Sequence, residues 1–227
     1  MTPPVTGGVS RTGLTARRVA HRSAGHKPLH RRDLELMAWL GEQYGARIDQ
    51  LQRRMGCELR TAQRTVARMR GAGLVCARHI LVGESTWVLP TAAGLRACSS
   101  PFTPWEPKLG LLAHVAAVND VRTYVERSSP QCEWVCERAL LRERSRGEHL
   151  PDAVVLLDGQ RVAIEVELTA KGRRRTVAIV DQLARRFDAV AYFCAPATHR
   201  VLEELAASGR WRALAVRELA LVGQGGT

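Results

Sequence analysis

The sequence predicts an α+β protein of two domains, a small helical unit closed by a β-hairpin and then a mixed central sheet flanked by helices. Three observations predict it. Between Leu59 and Arg70, apolar residues stack on one side of a helix and arginines on the other, and a hairpin pattern follows. Around residues 99–107, Ser99-Ser100-Pro101, Pro104 and Pro107 interrupt all periodicity, which marks a linker. Beyond it the segments read helix, strand, strand, strand, helix, strand, with an acidic hairpin in the middle. At 227 residues the chain is long enough for two hydrophobic cores.

Residues 1–30 carry Arg11, Arg17, Arg18, Arg22 and Lys27 among Gly, Ser, Thr and Pro, with no acid before Asp33. This composition predicts a disordered basic arm, either tracking phosphates or serving as a solubilising tail. Residues 31–98 form the first domain. A helix from Arg32 to Tyr44 has Leu34, Met37 and Leu40 as its apolar stripe and Gly45 as its stop. A second, short helix spans about Ile48 to Met55, and Gly56-Cys57 makes the turn. In the third helix Leu59, Ala62, Val66 and Met69 share the inner side, while Arg60, Arg64 and Arg68 fall opposite at i, i+4, i+8. Leu74 to Leu81 reads as a strand, Gly83-Glu84-Ser85 as a tip and Thr86 to Leu89 as the return. Three helices followed by a hairpin make a winged helix-turn-helix, whose third helix enters the major groove of double-stranded DNA. Arg60, Thr61, Gln63, Arg64 and Arg68 are then the candidate DNA contacts. The bland alternative is a solvated arginine face, and winged helices also serve as protein–protein modules.

After the 99–107 linker, residues 108–220 form the second domain and 221–227 a flexible tail. Its elements are a helix from about Leu109 to Arg127, a strand from Gln131 to Leu141 holding Glu137, the acidic hairpin, and a helix from the basic patch Lys171–Arg175 to Phe187. A strand Ala189–Cys194, a helix Pro196–Ala207 and a last strand Trp211–Leu219 follow.

Composition narrows the partners. A net charge of +12 with a pI near 10.4 points to a polyanion, and nucleic acid is favoured over membrane because no strongly amphipathic basic anchor appears; no apolar stretch approaches spanning length either. With no apolar secretory signal at the N-terminus, a cytoplasmic, nucleoid- or plasmid-associated protein is expected. The six cysteines lack zinc-site spacing and read as free thiols.

The acidic hairpin carries the chemistry. Pro151-Asp152 opens Ala153 to Leu157, Asp158-Gly159 is a two-residue hairpin turn, and Arg161 to Leu168 returns. Alternation places Glu165 and Glu167 on one face and Ile164, Val166 and Leu168 on the other, and antiparallel pairing brings Asp152 beside the acidic face. Such hard oxygen donors suit Mg²⁺ or Mn²⁺, on which a bound water becomes a usable nucleophile. Lysine is scarce, with only Lys27, Lys108 and Lys171 in the chain, and Lys171 follows the acids closely. An acidic hairpin is also often just a solvated sheet face.

Pro151-Asp152 followed by Glu165-Val166-Glu167 resembles the PD-(D/E)XK nuclease superfamily, except that Glu167 stands where that superfamily usually has lysine. The resemblance implies a PD-(D/E)XK nuclease-like core in which Asp152, Glu165 and the Val166 carbonyl hold the metal. Glu167 orients the attacking water or binds a second ion, and Lys171 stabilises developing charge. Arg173 and Arg174, with Arg175, would clamp phosphates nearby. Glu137 would add a carboxylate or, slightly favoured, a salt bridge to an arginine. His114 and Asn119 read as packing or capping groups, and Gln182 as a surface residue. The Thr91-x-x-Gly94-Leu95 closure, His114…Asn119-Asp120-Val121, Glu137-Arg138 and the acidic run together resemble the replication-relaxation family of actinobacterial plasmids and integrative elements. That resemblance implies plasmid replication or transfer, nicking or relaxation of DNA, and other replication or relaxosome proteins as further partners; a homodimer is compatible with it. The alternative is a non-catalytic DNA-binding accessory factor or repressor on a degenerate nuclease scaffold.

Overall fold

The computed structural model describes residues 29–144 and 147–219; the basic arm up to residue 28 and the tail from residue 220 lie outside the described residues. The described chain is mixed α+β, with eight helices and two sheets of three and five strands.

The first sheet is built around three helices. Helix α1 (Arg31–Glu42) is followed by β1 (Ala46–Arg47), α2 (Ile48–Met55), α3 (Leu59–Gly71), β2 (Val75–Arg78), β3 (Trp87–Pro90) and a short α4 (Ala92–Ala97). β3 is central, antiparallel to both β1 and β2. Met37, Leu40, Leu51, Val66, Met69 and Val75 fill the core beneath it. Ala62, Val66 and Met69 are buried as their spacing predicts, but Leu59, at the open first turn of α3, is 42% exposed and is not part of the inner stripe. β2 is shorter than the expected 74–81, and α4 follows β3 directly. Thr91 caps α4, accepting from the Gly94 amide while its hydroxyl donates to the Leu74 carbonyl. Only glycine fits at 94, because a Cβ there would stand 2.1 Å from the Leu74 carbonyl oxygen.

Helix α5 (Leu109–Ser128) joins the two sheets. Its first half, through Leu112, Val115 and Ala116, packs on Trp87 and Leu89 of β3. Its second half, through Val121, packs on Trp134, Val155, Ile164, Val166 and Phe193 of the second sheet. Polar contacts reinforce this seam. Buried Asn119 donates to the Gly45 carbonyl, Gln50 and Arg53 bond Asp120, and Arg122 pairs with Glu42. Asn119 is thus the packing group expected of it.

The second sheet has the order β4-β5-β6-β7-β8, formed by β4 (Glu133–Cys136), β5 (Ala153–Leu157), β6 (Gln160–Glu167), β7 (Ala189–Cys194) and β8 (Leu214–Glu218). The first three are antiparallel neighbours, and β6-β7-β8 are parallel. Helices α7 (Arg173–Ala184) and α8 (Pro196–Ala207) cover one face through Ile179, Val180, Leu183 and Leu202, opposite α5. The hairpin turn is as expected, with Asp158 and Gly159 both in the left-handed region at φ 51° and 77°. The expected strand 131–141 is corrected. It stops at Cys136, and Glu137–Glu143 forms a helix, α6. Alternation lasts only four residues here, and the following Ala139, Leu140, Leu141 and Arg142 are strong helix formers.

Candidate functional site

Register brings the acids together. Ala153 pairs with Ile164 across the antiparallel hairpin, so Asp152, one residue before β5, stands opposite Glu165. Val154, Ala163, Tyr192 and Cys194 belong to the face covered by α7 and α8, and Glu165 and Glu167 alternate onto that face. Ile164, Val166 and Leu168 lie on the α5 face, as the period-two reading expects. Glu165 and Glu167 are 3% and 5% exposed, so this is no solvated sheet face.

Each carboxylate has its own partner. Asp152 Oδ2 accepts from the Val166 amide at 2.7 Å, and Oδ1 lies 2.8 Å from His114 Nε2. Glu165 Oε1 lies 2.9 Å from His149 Nε2. Lys171 Nζ forms an ion pair with Glu167 Oε2 at 2.6 Å. Glu137 accepts from the Tyr44 hydroxyl at 3.2 Å; among the described residues no arginine pairs with it, where a salt bridge was slightly favoured. The neighbouring Arg138 instead spans the seam. It donates to the Gly41 and Thr103 carbonyls, with its guanidinium over the rings of Tyr44 and Phe102. A cavity of about 20 Å³, room for one water, is lined by Tyr44, His114, Glu137 and Asp152.

The electrostatics follow from burying like charges together. Burial pushes the Glu165 carboxyl up to about 6, opposed by its bond to His149 and reinforced by Asp152. Burial also raises Glu137, again with Asp152 adding repulsion and the Tyr44 bond opposing it. The bond to Asp152 raises His114, despite burial. A divalent cation would relieve this repulsion, and the donors are the hard oxygens it prefers. As the side chains stand, no three His, Cys, Asp or Glu groups among the described residues converge on one point. Holding an ion therefore requires Asp152 and Glu165 to turn from their histidines. The Val166 amide, on the residue whose carbonyl is the expected further ligand, donates to Asp152.

The sequence reading missed both imidazoles. His114 was expected only to pack or cap, yet it contacts Asp152. His149 stands three residues before that aspartate, and its backbone amide donates to Gln182, the exposed glutamine of α7. Proximity to Pro151-Asp152 was the available signal for His149; His114 had none short of the tertiary fold.

The basic surface is divided. Arg60, Thr61, Gln63 and Arg64 are exposed on α3, and neither arginine is in an ion pair among the described residues. Arg68 is different. Its guanidinium is bidentate to buried Asp33 of α1 at 2.5 and 2.8 Å, so it ties two helices together instead of facing outward free. An open groove beside α3 is lined by Arg31, Arg32, Arg54, Thr61 and Thr65. Arg173 and Arg174 are exposed at the start of α7, with Arg173 3.5 Å from Glu204.

The Arg68–Asp33 pair gives a stability prediction. Asp33 is held below its usual value of 3.8 first by the Arg68 bond. A depressed carboxyl contributes stability that is present above 3.8 and lost as pH falls through the folded value. Arg68→Ala is expected to cost about 2 kcal/mol at neutral pH, discounted for the exposed arginine, and the gap to wild type should close as pH falls below 3.8. Urea unfolding at both ends of that window checks it; a gap independent of pH rejects the pair as its source.

No helix among the described residues is long and apolar enough to cross a membrane. No family model and no curated protein matches this sequence. Among solved structures the chain is similar to one described as "PigF with SAH", at 17% identity and a TM-score of 0.20. The match covers 84% of this chain and 62% of that one, so this chain spans less than two thirds of that protein's length. So weak a likeness carries no argument about either fold or chemistry.

Proposed function

We propose that this protein binds double-stranded DNA through a winged helix-turn-helix in its first half and cuts phosphodiester bonds at a PD-(D/E)XK nuclease-like site in its second, with Mg²⁺ or Mn²⁺. Its setting would be the replication or transfer of a plasmid or mobile element, as a member of the replication-relaxation family. One observation carries the reading: half-buried Asp152, one residue before β5, stands opposite buried Glu165 of β6, with His114 against the first, His149 against the second and Lys171 paired to neighbouring buried Glu167. Decoration alone does not bury carboxylates at this cost.

Asp152 and Glu165 would hold the ion, which when bound acidifies a water and neutralises charge on the scissile phosphate. The Val166 amide and His149 set the resting orientations of the Asp152 and Glu165 carboxylates, which would turn from their histidines to take up the ion. Lys171 keeps positive charge beside Glu167 at the mouth of α7, where Arg173 and Arg174 extend it along a phosphate backbone. Exposed Arg60 and Arg64 on α3 supply the separate duplex contact.

One observation favours the non-catalytic alternative. Lys171 is taken up by Glu167, which leaves that ammonium less free for a phosphate. Supercoiled plasmid incubated with the protein and Mg²⁺ or Mn²⁺ separates the two readings. Relaxed, nicked circles that vanish with chelator are the expected result; DNA binding without any nicking across both metals would establish the accessory-factor reading instead.

A further inference from the structure

The segment between the two halves carries aromatic rings that the acidic site does not use. Its sequence, residues 99–107, reads only as a linker, yet its Phe102 packs on Arg138 and its Trp105 on Tyr44. With Arg142 these side chains line an open cleft of about 350 Å³, within the range of about 300–1,000 Å³ typical of ligand sites. The Tyr44 and Trp105 rings are 5.4 Å apart and tilted by 53°. The Arg138 guanidinium lies 4.6 Å from the Tyr44 ring and 4.7 Å from that of Phe102, and it is bonded to carbonyls, which leave its charge uncancelled. Tyr44 is held at φ 66°, a left-handed conformation that a bulky side chain rarely adopts, so its contacts fix the ring against backbone preference. Pro101 and Pro104 stiffen the linker, and its one acid, Glu106, is taken up by Arg78 at 2.6 Å. Arg142 is exposed and outside any ion pair among the described residues. The cleft is therefore aromatic and positive, with its rings ordered in advance.

We propose that this cleft receives an unpaired base of a single DNA strand, stacked on Trp105, with a phosphate of that strand against Arg142. This rests on the DNA reading given above and adds a second kind of contact to it. Every base has a π-face, so a ring takes an unpaired base whatever its sequence, and arginine neutralises the backbone beside it. A paired duplex keeps its bases stacked inside, so the cleft selects opened strands. Tyr44 joins the cleft to the acidic site: its ring meets Trp105, while its hydroxyl donates to Glu137 and lines the small cavity shared with Asp152. An acidic peptide would also suit aromatic rings and arginines. The net charge of +12 and the cleft's place beside the acidic site favour the nucleic-acid strand.

The test uses the full chain as wild type, Trp105→Leu and Arg142→Ala, with labelled oligo-dT and a labelled duplex as probes in fluorescence anisotropy. Leucine keeps apolar bulk at 105, where the ring packs against the core around Trp87, and removes the π-face. Oligo-dT affinity is expected to fall about tenfold in Trp105→Leu. In Arg142→Ala it is expected to fall a few-fold, with the slope of log affinity against log salt flatter by about 0.7. Duplex affinity should stay within about twofold of wild type in both, because neither residue lies on α3. Arg142 is exposed, so its replacement leaves the fold intact and its result stands even if Trp105→Leu unfolds. Unchanged oligo-dT affinity in either folded variant overturns the proposal, and so does an equal loss for oligo-dT and duplex. Polyglutamate binding that needs Trp105 and Arg142, with oligo-dT binding that does not, assigns the cleft to an acidic protein partner and overturns it too. Wild type that binds duplex but not oligo-dT overturns the cleft's role and leaves the duplex reading intact. Wild type that binds neither overturns both.

Discussion

Asp152→Asn is expected to lower Mn²⁺-dependent nicking of supercoiled plasmid by on the order of 10³-fold, with DNA affinity within about twofold of wild type. The magnitude follows from what the residue does. One oxygen of Asp152 is fixed by the Val166 amide, and the other is the charge that faces His114 and the opposing Glu165. Asparagine keeps an oxygen for the amide bond but loses the charge, so it removes the ion's ligand without orphaning the Val166 N–H. Alanine would leave that partly buried N–H unpaired, at a further cost of about 1–3 kcal/mol, and a loss of activity would then be confounded with unfolding. The duplex contacts proposed for α3 lie far from this exchange in the chain, which is why binding should survive. Agarose-gel nicking and filter binding on the same preparations check both halves. Nicking that persists in Asp152→Asn would remove the carboxylate pair from the chemistry altogether.

How much of this was legible depends on the range of the signal. Helix α2, strand β7 and helix α8 have the predicted bounds because their cues are local: a stop glycine after Met55, an apolar β-branched and aromatic run at 189–194, and Pro196 at a helix start. The Asp152–Glu165 apposition was also legible, since a two-residue turn at Asp158-Gly159 fixes the hairpin register and alternation does the rest. What stayed hidden is what tertiary packing assembles. His114 reaches Asp152 only because α5 bridges the two sheets, and Tyr192 stands beside Glu165 only because β7 pairs with β6 through a parallel crossover. Tyr44 meets Glu137, and Asp33 meets Arg68, over separations that no periodicity encodes. The Glu137 error was of another kind: propensity for helix from Ala139 onward outweighed a strand pattern only four residues long.

The divided arginines of α3 make the sharpest binding prediction. Arg60 and Arg64 are exposed and outside any described ion pair, whereas Arg68 is bidentate to Asp33. A guanidinium already neutralised by a buried carboxylate has little left for a phosphate, so the three arginines should not behave as a set. Arg60→Ala with Arg64→Ala is expected to weaken duplex DNA binding about 10- to 100-fold at moderate salt and to flatten the slope of log affinity against log salt by about 2. Folding stability should change little, because neither side chain is buried and neither holds a partner helix. Arg68→Ala should do the reverse: lower stability, with a slope close to wild type. Fluorescence anisotropy with a duplex at several salt concentrations, beside urea unfolding, distinguishes the two patterns. If the double variant kept both affinity and slope, α3 would not be the DNA face. The exposed arginines would then belong to a protein–protein surface, and the phosphate contacts would have to come from Arg173 and Arg174 at the start of α7, next to the acids themselves.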